Sequence, residues 1–242
     1  MRIGIKIWST NTELFPIAEE LYKQEMFSYL EVYMVPGTIK NCVILKKMGI
    51  PLVLHAPHSR HGFNAADRNN KKNSEIYDEI EQFALLLKPE FVIFHPEFGE
   101  IEQSIRFLKT KGIKNSLIEN MPKSGLNGED CIGATPEEIS LFLKAGFGFC
   151  LDFSHAIKAG HTLKKDFIPQ FLSLGPKMFH ISDGHRDSDK DEHLNLGEGD
   201  FDIKSIKKRI EALNNAMLTF ETPKTTGLDN DIKNINYFLK SK

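Results

Sequence analysis

The chain has 242 residues, 40% of them hydrophobic, with a formal net charge of −2. That length buries a sizeable core, as one large α/β barrel or two smaller domains, and the charge supplies no global attraction to nucleic acid. No run of about 18 apolar residues is present to span a membrane, and three widely spaced cysteines, Cys42, Cys131 and Cys150, support neither a disulfide framework nor a CxxC zinc knuckle.

From the first residues the chain reads as a strand, Arg2–Trp8, with no signal-peptide core, so the expectation is a reduced, cytoplasmic protein. Helical spacing follows over Asn11–Phe27. Tyr29–Val35 is a second strand, Thr38–Met48 a short helix, and Leu52–Ala56 a third strand stopped by Pro57. A polar loop, His58–Asn70, precedes a helix around Ser74–Leu87. Phe91–His95 is a fourth strand closed by Pro96, and after a helix at Ile101–Lys111 comes a fifth, Ser116–Glu119, before Pro122. Thr135-Pro136-Glu137-Glu138 has the makings of a capped helix start, with acids at its positive end. Phe147–Asp152 is a sixth strand, with a helix expected near Lys164–Leu174. Lys177–Ile181 is the seventh, Asp202–Leu213 a helix, Met217–Glu221 the eighth, and Asp229–Leu239 a final helix. Eight strand–helix alternations with short linkers predict a single (β/α)8 TIM barrel of the α/β class, one domain over residues 1–242.

In that fold the carboxyl ends of the strands converge on one mouth, where catalytic groups stand. The residues at the ends of the third to eighth strands are His55, His95, Glu119, Asp152, His180 and Glu221. The segment Lys177–Gly199 adds Asp183, His185, Asp191 and His193, and His155 lies three residues beyond Asp152. A lone strand-end histidine is more often a hydrogen-bonded structural residue, and aspartates in a loop are more often solvated surface. Six such residues in series without a ligand, however, would carry a heavy desolvation cost. Imidazoles and carboxylates brought together suit a divalent ion such as zinc or manganese.

Elsewhere the signals are weaker. Arg60, Arg68, Lys71, Lys72, Lys123, Arg186, Lys190 and Lys224 fall in or beside mouth-side loops, but acids are interleaved with them, which is weak support for duplex binding. Trp8 and Phe15 read as packing at the mouth rather than a stacking platform, and His61 and His161 as loop histidines. Gly197-Glu198-Gly199 reads as a turn whose amides could meet an anion. No P-loop, dinucleotide fingerprint or serine-nucleophile elbow is present.

The motifs HAPH (55–58), FHPEFG (94–99), IENMP (118–122), GFCLDFSH (148–155), FHISD (179–183), DEHLNLGEG (191–199) and FETP (220–223) resemble those of the xylose isomerase-like TIM barrels. That superfamily holds sugar isomerases, epimerases and endonuclease IV. The resemblance implies a four-ligand metal site at Glu119, Asp152, His180 and Glu221. In the endonuclease branch Glu119 would bridge to a second ion held by His55 and His95, and His155, Asp191 and His193 would hold a third. Departures are Phe153 and Ser154, where that branch usually has threonine and cysteine, and His58, where it usually has tyrosine. The loops after the first two strands look short for a DNA-recognition surface.

Two activities are therefore expected. One is phosphoester hydrolysis at up to three zinc ions, on an abasic-site phosphodiester or a smaller phosphorylated compound. The other is isomerisation or epimerisation of a sugar or sugar phosphate at one divalent ion, manganese or magnesium included, with Glu119 and Glu221 as the acid/base pair. A non-catalytic metal or sugar sensor is a third reading that no residue favours. His58, Arg60, Asp183, His185, Arg186 and Lys224 are the expected substrate contacts.

Overall fold

The structure, a computed structural model, describes every residue except Leu126, Thr225, Thr226 and Lys242. Eight parallel strands close into a barrel in sequence order. They are β1 (Arg2–Trp8), β2 (Tyr29–Tyr33), β3 (Leu52–His55), β4 (Val92–Phe94), β5 (Ser116–Glu119), β6 (Gly148–Asp152), β7 (Met178–Ile181) and β8 (Met217–Phe220). The helices outside are α1 (Phe15–Lys23), α2 (Cys42–Lys47), α3 (Asn73–Leu87), α4 (Ile101–Lys111), α5 (Pro136–Lys144), α6 (Phe153–Leu163), α7 (Ile168–Ser173), α8 (Ile203–Glu211) and α9 (Asp229–Lys240). The α/β barrel expected from the alternation is what forms. Its three cysteines are buried and unpaired.

Strand periodicity builds the floor of the mouth. Side chains two residues apart point to the same face, so the residue two before each interior polar group lies one layer deeper. Val53, Ile93, Leu117, Cys150 and Met178 stand in that relation to His55, His95, Glu119, Asp152 and His180. They pack with Tyr29 and Met217 into a buried apolar cluster inside the barrel. The Tyr29 ring takes up the space beside Gly4, where an added Cβ would come within 2.3 Å of it. Glycine at that position is what admits the ring. A larger cluster fills the layer between strands and helices.

One helix was misplaced by sequence reasoning. No loop follows β6: α6 begins at Phe153, with Asp152 as its cap, accepting the His155 amide at 2.7 Å. The expected helix near Lys164–Leu174 is only the short α7 after it. Because β6 runs directly into α6, His155 is carried on the first helical turn beside Asp152. The capping expected at Thr135 is present in full, its side chain and that of Glu138 exchanging bonds with each other's backbone.

Candidate metal centre

All nine residues expected to ligate metal meet at the mouth. Five groups form among the described residues, each with donor atoms within 4.8 Å of one another; two bring in Glu31 or Cys150, and three are made of these nine residues alone: His55, His95 and Glu119; Glu119, Asp152, His180 and Glu221; His155, Asp191 and His193. Glu119 belongs to two of these three. Its Oε2 lies 3.2 Å from His55 Nε2, His95 Nε2 and His180 Nδ1 alike. Separations of that size are close to the edge of a tetrahedron of zinc ligands, roughly 3.3 Å for bonds near 2.0 Å.

Hydrogen bonds away from the mouth fix which nitrogen of each ring faces in. A backbone carbonyl can only accept. His55 Nδ1 therefore donates to Ala56 O, His155 Nδ1 to Asn120 O and His193 Nδ1 to Glu221 O, each at 2.8 Å. Their Nε2 atoms turn to carboxylates: His55 to Glu119, His155 to Asp191 Oδ2 at 3.2 Å, and His193 to the same Asp191 oxygen at 2.5 Å. His180 is reversed, with Nε2 on Glu31 Oε2 at 2.8 Å and Nδ1 at 2.7 Å from Glu221 Oε1. A ring nitrogen opposite a carboxylate oxygen needs a proton or a cation between them. Among the described residues, the buried atoms at the centre without a hydrogen-bond partner include His95 Nε2, Glu119 Oε1, Asp152 Oδ2, His180 Nδ1 and Asp191 Oδ1. Orphaned donors and acceptors of this kind, all on ligand-competent side chains, fit divalent ions.

The electrostatics follow from burial and neighbours. Burial opposes charge on His155, yet Asp152 and Asp191 hold its pKa well above the ordinary value. The same contest raises His180, through Cys150, Glu119, Glu31 and Glu221, and His193 to about 9, through Asp191. Glu119 and Glu221 are held well below the usual carboxylate range despite burial, Glu119 mainly by His180 and His95, Glu221 by Lys6 and His180. Burial pushes the Asp152 carboxyl up, and burial with Lys6 pushes His55 down.

Two members of this centre escaped sequence reasoning. Glu31 in β2 is fully buried behind His180. Lys6 in β1 reaches Glu31 Oε1 at 3.0 Å and also pairs with Glu221. The carboxylates of Glu221 and Glu31 outweigh the desolvation of Lys6 and keep it charged, while His180 and Lys6 hold Glu31 at about 2 against its burial. The available signal was a charged residue in the middle of an apolar strand.

The loop residues expected to touch substrate mostly have partners within the protein. Asp183 is buried, its Oδ1 accepting the Gly184 and Phe201 amides at 2.9 and 3.1 Å and its Oδ2 the Gly197 amide at 2.8 Å. It organises the loop, and the Gly197 amide considered for an anion is already engaged. A Cβ on Gly199 would come within 2.5 Å of the same carboxylate. Lys224 pairs with buried Asp231 at the start of α9. His185 Nδ1 meets Glu192 Oε1 at 2.9 Å, and Glu192 also takes Lys158 Nζ at 2.9 Å from the base of the loop. Arg60 and Arg186 are exposed. Of the six, His58 alone faces the ion groups, its ring stacked on His95 with centroids 5.7 Å apart and an 11° tilt. Burial, with His95 and His55 nearby, pushes His58 down to about 2. Among the described residues no helix is long and apolar enough to cross a membrane.

Comparison with known proteins bears on the fold and the family. A protein of Halothermothrix orenii named probable endonuclease 4 is 27% identical over 223 residues, covering 80% of this chain and 79% of its own. The endonuclease IV structure from Thermus thermophilus superposes with a TM-score of 0.72 at 20% identity, over 99% of this chain and 98% of its own. A D-tagatose 3-epimerase-like protein gives the same TM-score of 0.72 at 21% identity, over 99% and 97%. Residues 43–241 match the family model for the xylose isomerase-like TIM barrel, and the chain belongs to that family.

Proposed function

We propose that this protein is a divalent-metal-dependent phosphoester hydrolase with three ions, held by His55, His95 and Glu119; by Glu119, Asp152, His180 and Glu221; and by His155, Asp191 and His193. One observation carries the reading. All three groups are complete, and in each the imidazoles present a nitrogen toward carboxylates while most have the other nitrogen anchored elsewhere. A mononuclear isomerase needs only the middle group.

Charge supports the same conclusion. Glu31, Glu119, Asp152, Asp191 and Glu221 place five carboxylates at the mouth against the single ammonium of Lys6, four negative charges in all with neutral imidazoles. With one divalent ion in the middle group, His155 and His193 keep their protons and the mouth stays near neutral, with no pull on a phosphate. Three leave it positive and attract one. Bound divalent ions would supply a nucleophilic water at neutral pH and charge stabilisation at the phosphoryl oxygens. The protein's part is to fix the ligands: Glu31 orients His180, Lys6 holds one oxygen of Glu221, and three backbone carbonyls set the rings of His55, His155 and His193. The segments after β1 and β2 reach the turns at Thr12 and Ile39 within a few residues. Such short segments favour a small phosphorylated compound over duplex DNA.

Elemental analysis after zinc reconstitution should find close to three ions per chain, falling by one in His193→Ala. The loaded protein should cleave small phosphoesters faster than abasic duplex DNA. One ion per chain, unaffected by that substitution, would overturn the trinuclear reading and favour a sugar isomerase.

A further inference from the structure

Trp8 ends β1 at the mouth, is 44% exposed and is the only tryptophan in the chain. A single exposed aromatic residue needs no explanation by itself. This one is held in place and stands in line with the metal centre. Its amide donates to Asn11 Oδ1 at 2.8 Å and its carbonyl accepts the Asn11 amide at 2.9 Å. In register, Trp8 pairs with Tyr33 and Tyr33 with His55, so two strand spacings, roughly 10 Å, separate the indole from a proposed ligand. Ring centroids step from Trp8 to Tyr33 at 5.3 Å and from Tyr33 to His55 at 5.4 Å. The ring of His61 stands edge-on to Trp8 at 5.8 Å, pinned through Nδ1 to the Tyr33 hydroxyl at 2.8 Å.

We propose that Trp8, walled by His61 and Tyr33, is a stacking shelf for a planar aromatic ring, and that the ligand is a nucleoside phosphate whose phosphate lies at the metal centre. A phosphate drawn to that centre places a group one sugar away within reach of the indole. A half-exposed indole with a perpendicular ring beside it suits a flat π-system, which stacks in offset fashion and meets the edge of a second ring. Tyr33 is almost fully buried beneath, so the shelf is backed by packed structure and costs little ordering on binding. This deepens the hydrolase reading and depends on it for the phosphate position alone.

With one tryptophan in the chain, emission excited at the red edge of its absorption, where the five tyrosines do not absorb, reports on this shelf. Zinc-loaded protein is titrated with adenosine 5′-monophosphate, ribose 5-phosphate and inorganic phosphate, following emission and, in parallel, heat. Adenosine monophosphate is expected to quench saturably and to bind about tenfold more tightly than ribose 5-phosphate, which should bind without comparable quenching. Trp8→Ala should bring the two affinities together, with inorganic phosphate binding unchanged, and Trp8→Phe should keep most of the preference. Equal affinities that Trp8→Ala leaves unchanged would overturn the shelf. So would quenching by ribose 5-phosphate alone, which would mean sugar stacking, or no saturable binding of the nucleotide. Phosphoester cleavage without nucleotide preference would defeat the shelf and leave the hydrolase standing. Nucleotide quenching without any cleavage would do the reverse.

Discussion

Glu31 accepts the Nε2–H of His180 at 2.8 Å, with both side chains fully buried. A carboxylate behind a metal-facing histidine fixes its tautomer and makes its far nitrogen more basic, and loss of such a partner weakens metal binding about 10- to 100-fold. Glu31→Gln keeps the shape and removes the charge. That loss is expected at the ion of Glu119, Asp152, His180 and Glu221, with smaller changes elsewhere. Zinc competition against a chromophoric chelator measures it, and unchanged affinity at every ion would remove Glu31 from the centre.

Lys6 on β1 bridges Glu31 on one neighbouring strand, β2, and Glu221 at the end of the other, β8, and its side chain is only 11% exposed. Breaking a buried pair strands its partner's charge and costs about 3 kcal/mol. Lys6→Met should therefore destabilise the metal-free protein by about that amount. Bound zinc replaces the missing positive charge, so the gap between variant and parent should narrow on loading. Urea denaturation with and without zinc tests both halves, and a gap that zinc leaves unchanged would show that Lys6 does not share the charge of the centre.

Lys158, fully buried on α6, donates to His185 O at 2.7 Å and Glu192 Oε2 at 2.9 Å. Since Glu192 is partly solvated, the loss in Lys158→Met should be moderate, about 2 kcal/mol. The loop it ties down carries Asp191 and His193. The variant should accordingly lose affinity for one ion and keep the other two, a pattern that stepwise zinc titration separates from general destabilisation.

His58 gives a pH dependence with a definite sign. Its folded pKa lies at about 2, below the ordinary histidine value of 6.5. Above pH 6.5 neither folded nor unfolded chain protonates it, so stability is at its full value. As pH falls below 6.5 the unfolded chain takes up a proton that the folded one refuses, and stability declines toward pH 2 with a slope of up to one proton. His58→Tyr removes that titration and should flatten the decline by the same slope. Melting temperatures of metal-free parent and variant between pH 4 and 7 test this, and parallel curves would refute it.

The barrel and its six strand-end candidates were legible because strand ends carry their own punctuation, whereas the ligand roles of His155, Asp191 and His193 came from the resemblance of their motifs. Pro57, Pro96 and Pro122 mark where β3, β4 and β5 must stop, and the residues just before them stand at the mouth. Lys6 and Glu31 were illegible because an alternating strand normally assigns charge to solvent. Only closure of the barrel turned their face inward. The start of α6 was hidden because Asp152 is both the last strand residue and the helix cap. The sequence does not show the intramolecular partners of Asp183 and Lys224 because these, the amides of Gly197 and Phe201 and the Asp231 carboxylate, lie 7 to 18 residues away.

The three ligand groups differ in their footing. His55, Glu119, Asp152 and His180 lie within strands, and His95 and Glu221 directly follow them, whereas Asp191 and His193 hang from a loop anchored by Asp183 and by the Lys158–Glu192 pair. Barrel closure assembles the first two groups, but the third exists only once that loop has settled onto its anchors. Acquisition of metal would then be ordered in time, with the loop-borne ion last to arrive and first to leave. Chelation would pass through a two-ion intermediate with an intact barrel.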